Sequence, residues 1–271
     1  MAQTLWRYMT FEGFSSLILR ESLWFTRIDM FPDKTEGLYP AKYYNAKFLK
    51  DQYNKTGPLD HKWKRGFGPE WQAEQAVIRH KIETLHRKRW AVNSWHSGTT
   101  EAEALWKTYA NSGKGICIQS TFNRLTQCFN DDKYSVLVDK VKYIDRNRYF
   151  PSLRPHQKPF LLKPRSYFYE KEVRAYIDLL EGIKKPSLVE FNIEDADCSD
   201  NIEIPKNSEL LNIIDKKGTY LKIDIKTLIL RVILGPSCDH WIQELVENLL
   251  SSKSVSCDCV RSTLYDYPEF R

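Results

Sequence analysis

The chain has 271 residues, 42% hydrophobic and 13% aromatic, enough to bury a real core in one large domain or two small ones. Forty-one Lys and Arg against thirty-five Asp and Glu leave a formal charge of +6. No run approaches the ~18 apolar residues that cross a membrane, the opening "MAQTLWRYMTFEGF" lacks a basic-then-apolar leader, and the six scattered cysteines include no CxxC pair. The expectation is a soluble, reduced, cytoplasmic protein with no membrane partner and no zinc site.

"LWRYMT" reads as a short strand, and "TFEGFSSLILRES" as a helix capped by Thr10 with Phe11, Phe14, Leu17 and Ile18 on one face. "LWFTRID" is a second strand. A polar, helical insertion within a single domain is expected over 39–90, its clearest part being Trp71, Ile78, Ile82 and Leu85 at helical spacing. Ala91 to His96 is a strand, followed by a short helix with a Thr100-x-x-Glu103 capping box and then the strand "GICIQS". Beyond Val136 the segments "YSVLVDKVKYI", "SYFYEKEVRAYIDLL", "SLVEFNI", "TYLKIDI" and "LILRVILGP" read as strands. A helix, "CDHWIQELVENLLSSK", with Trp241, Leu245, Val246 and Leu249 inward, precedes a last strand at "VSCDCVRS". Strand and helix do not alternate regularly, so the expected class is α+β, with mixed, largely antiparallel sheets flanked by helices.

No GxGxxG, GxxxxGK[ST], GxSxG or HExxH occurs, and His80, His86 and His96 are not at ligand spacing, so no metal is assigned. "LGPS" at Leu234 is a strand-to-helix turn whose amides could hold a phosphate. The sharpest constellation is "YFYEKEVRAY", Tyr167 to Tyr176. In an extended strand Glu170, Glu172 and Arg174 share a face, where two carboxylates repel and one can titrate high while Arg174 holds the nearer one ionised. The alternative is a solvated strand face carrying an ion pair. Between Lys140 and Arg174 ten basic residues face three acids, which favours an anionic ligand, a nucleotide or a nucleic-acid backbone. "SWHS" and "ALWKTYA" place Trp95, His96, Trp106 and Tyr109 near one helix–strand junction, as ligand platform or as core. Arg7, next to Tyr8 on an apolar strand, needs a buried carboxylate or a bound phosphate to answer its charge, which makes it a sharper candidate than Arg27.

Four blocks, "LWRYMTFEGFSSLILRESLWFTRIDMFPDKTEG", "NSWHSGTTEAEALWKTYANSGKGICIQSTFNRL", "FYEKEVRAY" and "VILGPSC", resemble in order the bacterial domain of unknown function family number 2971. That resemblance implies an effector in bacterial defence or a toxin-like protein. A looser resemblance is to the ADP-ribosyltransferases, with Arg7 at the first-strand position, Thr26 of "WFTR" at the second and Glu170-x-Glu172 at the third. It implies NAD as substrate, Glu172 orienting the ribose and steadying a cationic transition state, Glu170 activating the acceptor, and Arg7 on the pyrophosphate. It departs from that pattern because "WFTR" is not a Ser-Thr-Ser strand and the Glu pair reads as lying inside a strand. Two rivals remain open: a Mg²⁺-dependent nuclease using Glu170 and Glu172, and a non-enzymatic sensor that binds a protein partner through its aromatic surface.

Overall fold

The computed structural model describes residues 3–40, 84, 86–130, 133–149, 158–181 and 216–266. Strand β1, Thr4–Met9, turns Leu5 to one face of the sheet and Trp6 and Tyr8 to the other, as a period of two requires. Thr10 then caps helix α1, Phe11–Arg20, accepting a hydrogen bond from the Gly13 N–H (3.2 Å). Glu21, left-handed at φ 48°, ends the helix and turns the chain into β2, Ser22–Arg27.

Among the described residues, nine strands form one sheet. Besides β1 and β2 they are β3 (Trp90–Ser97), β4 (Ile116–Thr121), β5 (Leu137–Lys140), β8 (Glu172–Asp178), β9 (Gly218–Lys222), β10 (Arg231–Leu234) and β11 (Asp258–Arg261). The order runs β11-β10-β4-β1-β3-β2-β9, with β8 on β3 and β5 on β8; every pair is antiparallel except β10 with β11. A parallel pair, β6 (Lys142–Ile144) with β7 (Leu162–Pro164), stands apart. The remaining described α-helices are α2 (Glu103–Tyr109), α3 (Phe122–Gln127), α4 (Ile225–Leu228) and α5 (His240–Ser252). The fold is α+β with a mixed, mostly antiparallel sheet.

One face of the sheet, carrying Leu5, Phe25, Trp95, Ile118, Val173 and Ile177, packs on Phe14, Leu17 and Ile18 of α1 and on buried residues of α3, α4 and α5. Because neighbouring strands pair antiparallel, partners across a ladder share a face. Trp6, His96 and Glu172 therefore form one row on the opposite face, and Ser94 and Arg174 the next. That face carries two small apolar clusters, Trp6, Tyr8, Leu105 and Trp106 at one end and Ile28, Val92, Phe160 and Tyr176 at the other. The polar row lies between them.

Several expectations need correction. Helix α2 starts at Glu103 behind Ala102 with no side-chain cap, so Thr100 caps nothing; the Ala102 N–H is satisfied instead by the Tyr8 hydroxyl (2.9 Å). Helix α5 buries Ile242, Val246 and Leu250, whereas Trp241 is 59% exposed and Leu245 is also exposed. "YSVLVDKVKYI" divides between two sheets, and "SYFYE" is a 3-10 turn, Arg165–Glu170, with β8 beginning only at Glu172. Amides of the "LGPS" turn are already used, Gly235 N–H by the Gly115 carbonyl (2.9 Å) and Ser237 N–H by that of Gly113 (3.0 Å), which leaves them unavailable to a phosphate. The strand expected at "SLVEFNI" and nearly all of the 39–90 insertion lie outside the described residues.

Candidate active site

Strand β3 gives one whole edge, Trp90 to His96, to β8. Its other edge is shared: β1 pairs only at His96 and Ser97, and β2 only at Ala91 and Val92. Between them, at Asn93 to Trp95, the sheet forks. Backbone groups at such a fork need partners. Side chains supply two of them: Arg7 Nη1 donates to the Ser94 carbonyl (2.6 Å), and Asn93 Nδ2 to the Trp24 carbonyl (2.9 Å). Over the fork opens a cavity of about 500 Å³, of a size suited to a nucleotide-like ligand. Its walls carry Trp6, Tyr8, Trp24, Phe31, Trp95 and Tyr109, and its polar lining includes Arg7, Thr26, Ser94, His96, Lys163, Glu170 and Glu172.

The polar lining divides by charge. On one side Arg7 has no carboxylate partner among the described residues; it lies 5.8 Å from the Trp95 ring, and burial lowers its pKa to about 10. On the other side five charged groups interlock. Arg174, fully buried, grips Glu172 with two hydrogen bonds (Nε to Oε1 2.7 Å, Nη2 to Oε2 3.1 Å), and its Nη1 reaches Glu36 Oε1 (2.7 Å) and the Phe160 carbonyl. The Lys163 ammonium bridges the two catalytic candidates, bonded to Glu170 Oε2 and 3.0 Å from Glu172 Oε2. Tyr109 closes the group by donating to Glu170 Oε1 (3.0 Å). Counted formally, three carboxylates face two cations, so this wall carries one excess negative charge.

Burial by itself would raise the Glu172 carboxyl, but Arg174 and Lys163 outweigh it and hold it near 2. The Ser94 hydroxyl stands beside this carboxylate and helps to lower it, yet no hydrogen bond of ordinary geometry forms and its Oγ is buried without a partner. A carboxyl depressed on folding adds stability above its unfolded pKa and loses it as pH falls toward the folded value. From 4.5 down to about 2 that amounts to roughly 3 kcal/mol, complete above about pH 5 and gone near pH 2. Denaturant midpoints measured from pH 7 to pH 2.5 should show this loss, and Glu172→Gln should flatten it.

His96 Nδ1 lies 2.6 Å from the Glu170 main-chain carbonyl, so Nδ1 carries the proton and Nε2 is the acceptor. Burial lowers the ring's pKa, against a partial opposing pull from that carbonyl, and the imidazole is neutral at pH 7. Gly98 is required beside it, since a Cβ there would lie 2.5 Å from His96 Nε2. Gly98→Ala should displace the buried ring and lower stability by about 1–3 kcal/mol in thermal unfolding.

Arg7, Tyr8, Thr26, Trp95, His96, Tyr109, Glu170 and Glu172, drawn from five separate segments, all line the cavity. Three other candidates do not. Arg27 is buried against Asp29 (Nε to Oδ1 2.6 Å, Nη2 to Oδ2 2.9 Å), which neutralises it at the end of β2. Trp106 packs edge-to-face under Tyr8 at 5.0 Å and gives its N–H to Glu101 (2.9 Å). Arg174 lies behind Glu172 and orients it without reaching the cavity. Glu170 also differs in placement: it ends the 3-10 turn, and Lys171 at φ 40° swings the chain into β8, so the Glu pair straddles a turn–strand junction instead of lying within a strand. Lys163, Glu36, Asn93, Ser94 and Trp24 escaped sequence reasoning. Only Lys163, within the basic stretch, carried any local signal.

Among the described residues no cluster of His, Cys, Asp and Glu is placed to hold a metal ion, and no helix is long and apolar enough to cross a membrane. Comparison with models of protein families, with curated proteins and with solved structures gives no match. Function must therefore be read from the cavity itself.

Proposed function

We propose that the cavity binds NAD and cleaves its nicotinamide–ribose bond, as an ADP-ribosyltransferase or NAD glycohydrolase acting as a bacterial effector. The observation that carries this reading is the opposition of charge across one aromatic cavity: an arginine with no carboxylate partner among the described residues on one wall, a wall with one excess negative charge on the other. NAD has the matching polarity, an anionic pyrophosphate and a cationic pyridinium ribose. Arg7 would take the pyrophosphate, and the aromatic walls the flat pyridine ring. Both Glu172 oxygens already accept from Arg174, and Oε2 also faces Lys163, so the free lone pair is on Oε1. That lone pair accepts a hydrogen bond from a ribose hydroxyl. As the C1′–N bond breaks, its electron pair leaves on nicotinamide, and positive charge develops on the ribose beside an ionised carboxylate that cannot protonate at working pH.

That Arg7, Thr26 and Glu172 line one cavity supports the transferase likeness, and so does the position of the Glu pair at a turn. The Lys163 ammonium between Glu170 and Glu172 favours this reading over Mg²⁺-dependent cleavage of nucleic acid, because it fills the place a bridging cation would take.

The test is incubation with labelled NAD, and separately with RNA and DNA, each with and without Mg²⁺. Metal-independent release of nicotinamide is expected; metal-dependent cleavage of nucleic acid would overturn the proposal. Arg7→Met should raise KM for NAD about 10- to 100-fold through loss of a charge-assisted contact, with a much smaller change in kcat. Its thermal stability should change little, since relief of the guanidinium's desolvation is offset by the Ser94 carbonyl's loss of its donor.

A further inference from the structure

The 3-10 turn that delivers Glu170 to the cavity also lines a second, more open cleft of about 600 Å³, with Arg165 and Phe168 on one side and Val141 and Tyr143 on the other. Phe168 is 59% exposed and is braced edge-to-face by Tyr143 at 5.3 Å and 74°, while the neighbouring Tyr169 is 46% exposed. An aromatic ring held in a fixed pose at the surface is a stacking platform. Arg165 lines the cleft, and three more exposed cations, Lys140, Lys142 and Lys171, stand next in sequence to its other walls and to the turn. None of the four is in an ion pair among the described residues, though Lys142 lies 5.1 Å from the Tyr149 ring. The Val141 N–H donates to the Glu172 carbonyl (2.9 Å), which brings Lys140 and Lys142 alongside Lys171. Nearby acids are already engaged: Asp145 with Arg148 (3.6 Å), Asp139 with the Tyr176 hydroxyl (2.5 Å), Glu170 and Glu172 with Lys163 and Arg174. The two sites share structure, since the Tyr143 hydroxyl accepts the Glu172 main-chain N–H (2.7 Å).

We propose that this cleft binds single-stranded nucleic acid, one base stacked on Phe168 and the flanking phosphates on the four cations, and that it presents a nucleobase as acceptor of the ADP-ribosyl group. A duplex keeps its bases stacked inside and cannot offer one to the ring. The binding surface stands on its own observations; the transfer step rests on the NAD chemistry proposed above. In that step the ribose C1′–N bond breaks with its electron pair on nicotinamide, a nucleobase N–H nitrogen gives its lone pair to C1′, and the displaced proton goes to the Glu170 carboxylate.

The experiment has two arms. In the first, without NAD, fluorescence anisotropy follows labelled 12-nucleotide single-stranded DNA, single-stranded RNA, duplex DNA and heparin against the wild type and Phe168→Ser. Single strands should bind at least tenfold tighter than duplex, and Phe168→Ser should weaken them about tenfold with an unchanged melting curve. Four phosphate contacts predict roughly a fifty-fold loss between 50 and 200 mM salt. DNA and RNA titrated side by side decide which strand is preferred. No binding, equal binding of duplex or heparin, or indifference to Phe168→Ser would overturn the proposal. In the second arm, NAD labelled in its adenosine portion should transfer label to the oligonucleotide, more slowly in Phe168→Ser, while nicotinamide release in the absence of oligonucleotide is unaffected. Label that goes only to protein, or nicotinamide release without oligonucleotide binding, overturns this inference and leaves NAD cleavage standing. Oligonucleotide binding without NAD consumption overturns NAD cleavage and with it the acceptor role, and leaves the binding surface standing.

Discussion

Glu172→Gln should reduce nicotinamide release from NAD by about 10²- to 10³-fold, with KM nearly unchanged. The effect is electrostatic: the substitution removes the excess negative charge of the wall, and the amide cannot balance a ribose cation as a carboxylate held near pKa 2 does. A loss of about 3–4 kcal/mol is what removing one preorganised charge-stabilising group costs in a water-poor site. The same change also neutralises a group whose ionisation contributes roughly 3 kcal/mol to folding. A domain with ordinary stability of about 5–15 kcal/mol stays folded at 25 °C under that loss. Turnover should therefore be normalised to folded protein by circular dichroism. A variant that keeps more than a tenth of wild-type turnover would remove Glu172 from the chemistry.

The largest stability effect belongs to Arg174. Arg174→Met fills a similar volume but strands Glu172 and Glu36 as buried carboxylates and leaves the Phe160 carbonyl without its donor. Breaking a buried ion pair from one side costs about 3–5 kcal/mol, and here two carboxylates lose the same partner. With Arg174 gone, burial becomes the dominant influence on Glu172 and its carboxyl should rise above the unfolded value, held back by Lys163 and, more weakly, by Ser94. The sign of the pH dependence then reverses. The wild type loses this contribution as pH falls, whereas the variant should recover stability between pH 7 and pH 5 as the stranded carboxyl takes up a proton. Urea midpoints at the two pH values read both effects, and Arg174→Met with Glu172→Gln should be more stable than Arg174→Met alone. A loss below about 1 kcal/mol, or no reversal, would show that Arg174 is not the counter-charge.

Much of the site was legible because its signals are local. Two residues apart on a strand share a face, so Glu172 and Arg174 had to meet once β8 formed, and the bidentate pair is that expectation realised. An arginine on an apolar strand asks for an answer to its charge, and Arg7 does line the cavity. Glu170 was reached for the wrong local reason. It sits off the strand, and it joins Glu172 only because Lys171 turns left-handed and Lys163 reaches in from β7. Arg27 carries a weaker form of that signal, and its partner lies two residues away in Asp29.

The sequence by itself determined the class of fold, the strand faces, the Thr10 cap and the presence of a charged aromatic site, because periodicity and capping depend on neighbours a few residues apart. On α5 it points Trp241, Leu245, Val246 and Leu249 inward, but the stripe Ile242-Val246-Leu250 has the same spacing as Trp241-Leu245-Leu249. Packing on the sheet buries that second stripe, leaves Leu249 half-buried and exposes Trp241 and Leu245. Only the tertiary structure decided that β1 and β2 share one edge of β3 and part at Asn93 to Trp95. The cavity exists because of that fork. Pairing across some seventy to ninety residues is set by the balance of the whole sheet, and no short window of sequence encodes it.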